Sequence, residues 1–310
     1  MQYHCDGFRP GDPEIAEVAQ SRPICDPDFA EPVDVLIVGC GPAGLTLAAQ
    51  LSRFPDITTR IVERKDGPME KGQADGISCR SMEMFNAFGF AAKVMQQGYW
   101  VNETTFWKPD PGQPDRIVRN GRIQDVEDGL SEMPHMILNQ ARVHDMYLDI
   151  MRNSPSRLEP DYSLRLVRLT VDPAGGDHPV TAVLECAAPG REGETLTARA
   201  RYVVGCDGAR SAVRKSIGRE LAGDSANQAW GVMDVLAVTD FPDIRYKTLI
   251  QSAGEGNIIV IPREGGYLTR LYIELDKLKE GERVTSRNIT IDHLVAAAQR
   301  IFNPYSIDVK

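Results

Sequence analysis

The residues best able to do chemistry in this 310-residue chain are a glycine triplet and two acids. Gly39, Gly41 and Gly44 form G-x-G-x-x-G within Gly39-Cys-Gly-Pro-Ala-Gly44, and Glu63 lies 19 residues beyond the last of them. In a pyrophosphate-binding turn the first glycine permits the tight bend, the second lets backbone N–H groups approach the phosphates, and the third lets a helix pack close on a strand. Those phosphates would sit at a helix N-terminus, where unpaired N–H groups and the helix dipole both favour an anion. Pro42 and Ala43 fall in the first turn of that helix, where the missing proline N–H costs nothing. Glu63 closes a β-branched run, a place from which a carboxylate accepts hydrogen bonds from an adenosine ribose, and Arg64 beside it belongs to the same set. The second acid, Asp75, stands in Gly72-Gln-Ala-Asp-Gly76 just before a helical segment. Local sequence suits it equally to capping that helix and to acid/base work beside a cofactor.

The elements that must position these residues follow from periodicity. Asp34 to Val38 and Thr58 to Val62 read as strands and Leu45 to Leu51 as helix, so the triplet sits in a strand-turn-helix. A helix is expected over Cys79 to Phe88, irregular strands over 97–134, and a helix over Ala141 to Met151 with Gln140 at its head, a common place to cap or to touch a ligand. His135, beside Pro134 and an apolar run, reads on its own as structural. Alternation over 161–204 predicts antiparallel strands, the last ending in Gly205-Cys-Asp207-Gly208, a second strand-to-glycine-to-helix junction. From Gln228 four short strands, Trp230 to Val238, Thr248 to Gln251, Ile258 to Ile261 and Tyr267 to Glu274, predict a second lobe. Arg270 and Tyr272 share one face of it because strand side chains repeat every second residue, and Arg263 lies in the same sheet. Taken singly, each fits a solvated strand face.

The fold class expected is mixed α/β (α+β): a Rossmann-like dinucleotide-binding lobe with an antiparallel-sheet substrate lobe. Residues 1–32, with five prolines, form an extended arm, suited either to loose attachment or to packing on a second copy in a homodimer. Residues 33–225 form the dinucleotide-binding domain with inserted strands, 226–290 the sheet lobe, and 291–310, an amphipathic helix and its tail, begin a return to the first domain. A formal net charge of −9 leaves no basic stripe for nucleic acid. No apolar run reaches membrane-spanning length, and Met1 to Ala30 lacks a basic start and an apolar core, so a soluble cytoplasmic protein with no membrane partner is expected. Cys5, Cys25, Cys40, Cys79, Cys186 and Cys206 are dispersed with no C-x-x-C pair, which points to free thiols and no metal site.

Four motifs stand in register: the glycine triplet with Glu63, the Gly72–Gly76 loop, Tyr202-Val-Val-Gly-Cys-Asp-Gly-Ala-Arg210, and Ile261-Pro-Arg-Glu264. Together they resemble the single-component FAD-dependent aromatic hydroxylases of the phenol hydroxylase type. The resemblance implies FAD as cofactor, NADPH as co-substrate without a lobe of its own, molecular oxygen, and a small phenolic substrate attacked through a flavin hydroperoxide. It implies that Asp75 and Tyr272 meet the phenol, that Gln73 and Gln140 contact FAD, and that Asp207 and Gly208 help to hold FAD and handle NADPH. Within the family, Met1 to Pro10, Gly129 to His135 and Asn227 to Asp234 look most like the branch acting on 3-hydroxybenzoate, which would give 3,4-dihydroxybenzoate. A benzoate carboxylate needs a cationic or hydrogen-bonding partner in an apolar pocket; guided by the resemblance, Lys247 and His135 are the candidates and Arg263 the reserve. A different phenol, or a non-catalytic nucleotide-binding fragment, are the competing readings.

The family pattern breaks after the sheet lobe. A Gly-Asp segment followed by His and Pro, which closes the dinucleotide lobe in the family, is missing; Gly223-Asp224 precedes the sheet lobe and runs into Ser225-Ala-Asn227. The family's later helices and thioredoxin-like domain are missing as well. The expectation is an N-terminal part of a longer enzyme or a natural truncation, inactive or nearly so alone.

Overall fold

The computed structural model describes all residues except 1, 2, 5, 6, 9, 10, 13, 21–25, 73, 225, 226 and 278–288. The chain divides into two compact units, Met1–Gly72 with Ala141–Ala222, and Gln73–Gln140 with Gly223–Lys310.

The first unit is built on a five-stranded sheet in the order Leu164–Val171, Val180–Cys186, Thr195–Gly205, Val33–Val38, Thr59–Val62. Val33–Val38 is paired in parallel on both sides, and Leu36, Ile37, Ile61 and Val62 are at most 1% exposed, which is why these strands read as unbroken apolar runs. Thr195–Gly205 serves two ladders. Its first half pairs antiparallel with Val180–Cys186 and its second half, Ala200–Gly205, pairs parallel with Val33–Val38. The helix Pro42–Leu51 buries Gly44, Leu45, Ala48 and Ala49. The Asp34 carboxylate fastens the sheet's start by accepting from the Thr58 N–H at 2.9 Å and its hydroxyl at 2.7 Å.

The second unit holds a seven-stranded sheet in the order Ile307–Val309, Trp230–Thr239, Leu268–Glu274, Asn257–Pro262, Lys247–Gln251, Glu103–Pro109, Ile117–Gln124. The four strands expected after Gln228 are present, but they are joined by Glu103–Pro109, parallel to Lys247–Gln251, and by its hairpin partner Ile117–Gln124. A three-stranded sheet pairs Gly76–Ile77 and Tyr99–Val101 with His135–Ile137. The helix Ile291–Ile301 buries Leu294, Ala298 and Ile301 in the cluster containing Val260 and Leu271, and a Cβ on Gly231 would stand 2.3 Å from Leu294.

The boundaries therefore differ from those expected. Residues 73–140 group with the seven-stranded sheet because their strands complete its ladders, and 291–310 do not return to the dinucleotide unit. Their apolar helix face packs on that sheet, and Ile307–Val309 pairs with Ala237 to Thr239. No described helix is long and apolar enough to cross a membrane.

Candidate functional site

In the first unit, glycines build the turn between Val33–Val38 and Pro42–Leu51. Gly39 has φ of 104°, and a Cβ there would lie 2.5 Å from the Cys206 carbonyl oxygen, so the Cys206-Asp-Gly208 loop closes directly upon it. A Cβ on Gly44 would meet the Gly39 carbonyl oxygen at 1.9 Å, the close helix-to-turn packing that the third glycine of the motif permits. A Cβ on Gly41 would meet nothing within 4 Å. Open room thus lies over the middle glycine, which is the N-cap of a helix that starts at Pro42. Proline has no N–H, so the amides of Ala43 and Gly44 are the first the helix presents, and neither has an acceptor within it. Glu63 braces the turn, with Oε2 accepting from the Cys40 N–H at 2.8 Å and Oε1 from the Lys65 N–H at 3.1 Å. Arg64 is exposed next to it.

Asp207 is engaged within its own loop. Its Oδ1 accepts from the Ser211 hydroxyl at 2.5 Å, and its Oδ2 from the N–H groups of Ala212 at 2.6 Å and Val213 at 3.2 Å, at the head of the helix Ala212–Ser216. Gly208, with φ of 77°, makes the bend between Asp207 and that helix.

In the second unit Asp75 is 6% exposed and Arg263 3%. Arg263 and Arg270 each donate from Nη1 to Asp75 Oδ2. Arg263 also donates to Glu264, from Nε at 3.1 Å and Nη2 at 2.8 Å, and Arg270 makes a two-pronged pair with Asp234 at 2.7 Å on each prong. That pairing follows from register, since Asp234 and Arg270 oppose one another across adjacent strands. Tyr272 shares the half-buried face with Arg270, two residues along the same strand. Burial pushes the Asp75 carboxyl above the usual range; Arg263 and Arg270 oppose the shift, Glu264 adds to it, and a hydrogen bond from the Gln140 N–H opposes it. The helix Cys79–Ala87 has Ser78 at its N-cap, so Asp75 is an ion-paired carboxylate and not that helix's cap.

Lys247 and His135 are brought together by a residue that the sequence reading did not single out. Lys247 Nζ donates to Asp125 Oδ1 at 2.9 Å, and His135 Nδ1 lies 2.6 Å from Asp125 Oδ2. Arg263 is not part of this group; its partners are Asp75, Glu264 and, at 3.8 Å, Asp234. Gln73 lies outside the described residues.

A family model described as "FAD binding domain" matches residues 32–310. The chain belongs to this FAD-binding family. A 3-hydroxybenzoate 4-monooxygenase of Comamonas testosteroni is 63% identical over 310 residues, covering 100% of this chain and 48% of its own length. A phenol 2-monooxygenase of Aspergillus fumigatus is 33% identical over 279 residues, 89% of this chain and 44% of its own length. The chain thus spans about half the length of these curated relatives. Among solved structures, p-nitrophenol 4-monooxygenase from Pseudomonas putida superposes with a TM-score of 0.70 at 18% identity, over 90% of this chain and 67% of that chain. A flavin-dependent monooxygenase crystallised with FAD and substrate gives 0.69 at 20% identity, over 91% and 49%. These likenesses show a shared fold.

The glycine turn fits what an FAD-binding chain requires: room at Gly41, two free-facing amides at a helix start, and a carboxylate held at the adjoining strand end. Asp234 and Asp125 were missed because a single acid on or after an alternating strand has the pattern of a solvated face. Only their cross-strand partners reveal them.

Proposed function

We propose that this chain is the FAD-binding and phenol-binding part of an NADPH-using monooxygenase that converts 3-hydroxybenzoate into 3,4-dihydroxybenzoate. The observation that carries the reading is Asp75, a buried carboxylate lifted by burial and gripped by two arginines, one of which, Arg270, shares a sheet face with Tyr272. A phenol ring is a stronger nucleophile once its hydroxyl is deprotonated, and a carboxylate within reach can take or share that proton. Arg263 and Arg270 fix the carboxylate's orientation, and Tyr272 offers a hydroxyl that the phenol oxygen can pair with. Near-complete burial of Asp75 and Arg263 keeps water from competing for the proton. Lys247 and His135 take the substrate carboxylate, which otherwise could not leave water.

FAD, reduced by NADPH, supplies the activation of molecular oxygen when it is bound. Gly39, Gly41, Pro42, Ala43 and Gly44 would hold its pyrophosphate and Glu63 its adenosine ribose, with Arg64, Asp207 and Gly208 completing that side; Gln73 and Gln140 stay candidates for FAD contacts. The identity with the Comamonas enzyme supports the substrate, and the fungal phenol 2-monooxygenase supports the wider class.

The test is flavin retention after gel filtration, followed by product analysis with 3-hydroxybenzoate and NADPH. In the flavin-loaded enzyme, Asp75→Asn should lower turnover by about 100- to 10,000-fold, the usual worth of a positioned proton acceptor, without loss of flavin. Arg263 retains Glu264 and Arg270 retains Asp234 in this variant, so the fold should survive. Undiminished turnover by Asp75→Asn would remove Asp75 from the chemistry.

A further inference from the structure

Asp125 follows the strand Ile117–Gln124 and has its N–H fixed to the Asn102 carbonyl at 2.9 Å. Its carboxylate is 8% exposed and accepts three hydrogen bonds: Oδ1 from the Thr104 hydroxyl at 2.7 Å and from Lys247 Nζ at 2.9 Å, and Oδ2 from His135 Nδ1 at 2.6 Å. Thr104 and Lys247 oppose each other on parallel strands, and His135 arrives from the small sheet opposite Val101. Both sheets lie in the same unit. Burial works to raise the Asp125 carboxyl, but the bonds from Lys247, Thr104 and His135 more than offset this and hold it below the usual range. Asp125 is therefore ionised.

An ionised carboxylate can only accept, so His135 must present Nδ1–H to it. That leaves Nε2 as the nitrogen free for another partner, and it lies 3.6 Å from where a Cβ on Gly76 would stand. A neutral ring in this tautomer has a lone pair at Nε2 and cannot donate to a substrate carboxylate. Charge counting reaches the same point. Asp125 and Lys247 cancel, and adding a carboxylate to them with a neutral His135 would leave one uncompensated negative charge in a largely buried group. One proton on His135 removes both difficulties. The imidazolium donates from Nδ1 to Asp125 and from Nε2 to the ligand, and the four charged groups sum to zero. Among the described residues, the groups facing His135 are Asp125 directly, Lys247 and Thr104 through the shared carboxylate, and the Gly76 backbone; Asp75, next in the chain, is occupied by Arg263 and Arg270.

We propose that Asp125 is a positioning residue that couples the binding of a carboxylated phenol to the uptake of one proton, by holding His135 so that a proton from solvent binds its Nε2 together with the substrate carboxylate. This rests on the reading of 3-hydroxybenzoate as substrate. No other bond forms or breaks in the step.

The experiment is titration calorimetry on the flavin-loaded protein at about pH 8 in buffers of different ionisation enthalpy. The ligands are 3-hydroxybenzoate and 3-methylphenol, which share the phenol and differ in the carboxylate. Binding of 3-hydroxybenzoate should take up about one proton more than binding of 3-methylphenol. Asp125→Asn should abolish the difference, because its amide N–H can turn to Nδ1 so that neutral His135 donates from Nε2 and Lys247 alone balances the substrate carboxylate, with 3-methylphenol binding within about twofold. Unchanged uptake in Asp125→Asn, or equal proton uptake for the two ligands in the wild type, would overturn the proposal. Failure of the underlying substrate reading has a different signature, a wild-type protein that does not favour 3-hydroxybenzoate over 3-methylphenol. Nitrogen NMR of His135 needs no ligand. Neutral His135 should carry its proton on Nδ1 in the wild type and on Nε2 in Asp125→Asn, where the amide N–H can turn to Nδ1; the same tautomer in both would also overturn it.

Discussion

Gly41 and Gly44 are three residues apart, yet a methyl group added to each meets a different fate. At Gly44 it would overlap the Gly39 carbonyl oxygen at 1.9 Å, whereas at Gly41 it would enter open space. Gly44→Ala should therefore lower the melting temperature sharply, in line with the roughly 1–3 kcal/mol cost of overpacking. Gly41→Val should leave the fold intact while its side chain fills the room meant for phosphate, so flavin should be lost at an unchanged melting temperature. Equal loss of stability in both variants would mean that the space over Gly41 is not a binding space. These glycines were legible in the sequence because their constraint is local, a bend and two close approaches within six residues. Asp75 was half legible, since its glycine-flanked loop marked it but only Arg263 and Arg270, 188 and 195 residues away, decide between cap and ion pair. Asp125 was not legible, because its three side-chain donors lie on three other strands.

At the scale of elements, the helix Gln140–Arg152 shows how a predicted segment acquires a contact that periodicity cannot reveal. The helical spacing of apolar residues foretold the helix within a residue or two at each end, but not what His144 would do. His144 is 4% exposed; its Nε2 accepts from the Met69 N–H at 3.4 Å, and its Nδ1 is buried with no hydrogen-bond partner among the described residues. Burial pushes it below its ordinary value of 6.5, with Asp145 and Glu63 pulling the other way. As pH falls through about 6.5 the unfolded chain takes up this proton before the folded chain does, so the unfolded state binds more protons and stability is lost on acidification, by at most about 1.4 kcal/mol per pH unit. Above that range the term vanishes. His144→Gln keeps an acceptor but cannot titrate, so the stability difference between wild type and variant should shrink as pH falls from about 7 to 5.5. A difference that stays constant over this range would show that His144 is not held neutral by the fold.

For the whole molecule, chain order and spatial grouping part company: each unit is assembled from two separated segments. Sequence patterns gave the strands their places in the chain but not their partners, because a ladder between Glu103–Pro109 and Lys247–Gln251 joins segments well over a hundred residues apart. The grouping predicts how a shortened chain would behave. Residues 1–222 contain every strand of the five-stranded sheet, and its long-range ladders would be complete. The same chain would keep the hairpin Glu103–Pro109 with Ile117–Gln124 but lose Lys247–Gln251, and with it Asp243, whose carboxylate accepts from the Trp107 indole N–H at 2.8 Å and from Arg119 Nε at 2.8 Å. A two-stranded hairpin without a packed face is marginal in water. Hydrogen exchange on residues 1–222 should therefore leave Val33–Val38 and Val180–Cys186 protected, while amides of 103–124 exchange as in an unfolded chain. Retained protection across 103–124 would show that the hairpin is stabilised by something other than its sheet. Loss of protection throughout would show that the five-stranded sheet cannot stand without residues 223–310, and that folding couples the two units more tightly than their separate ladders require.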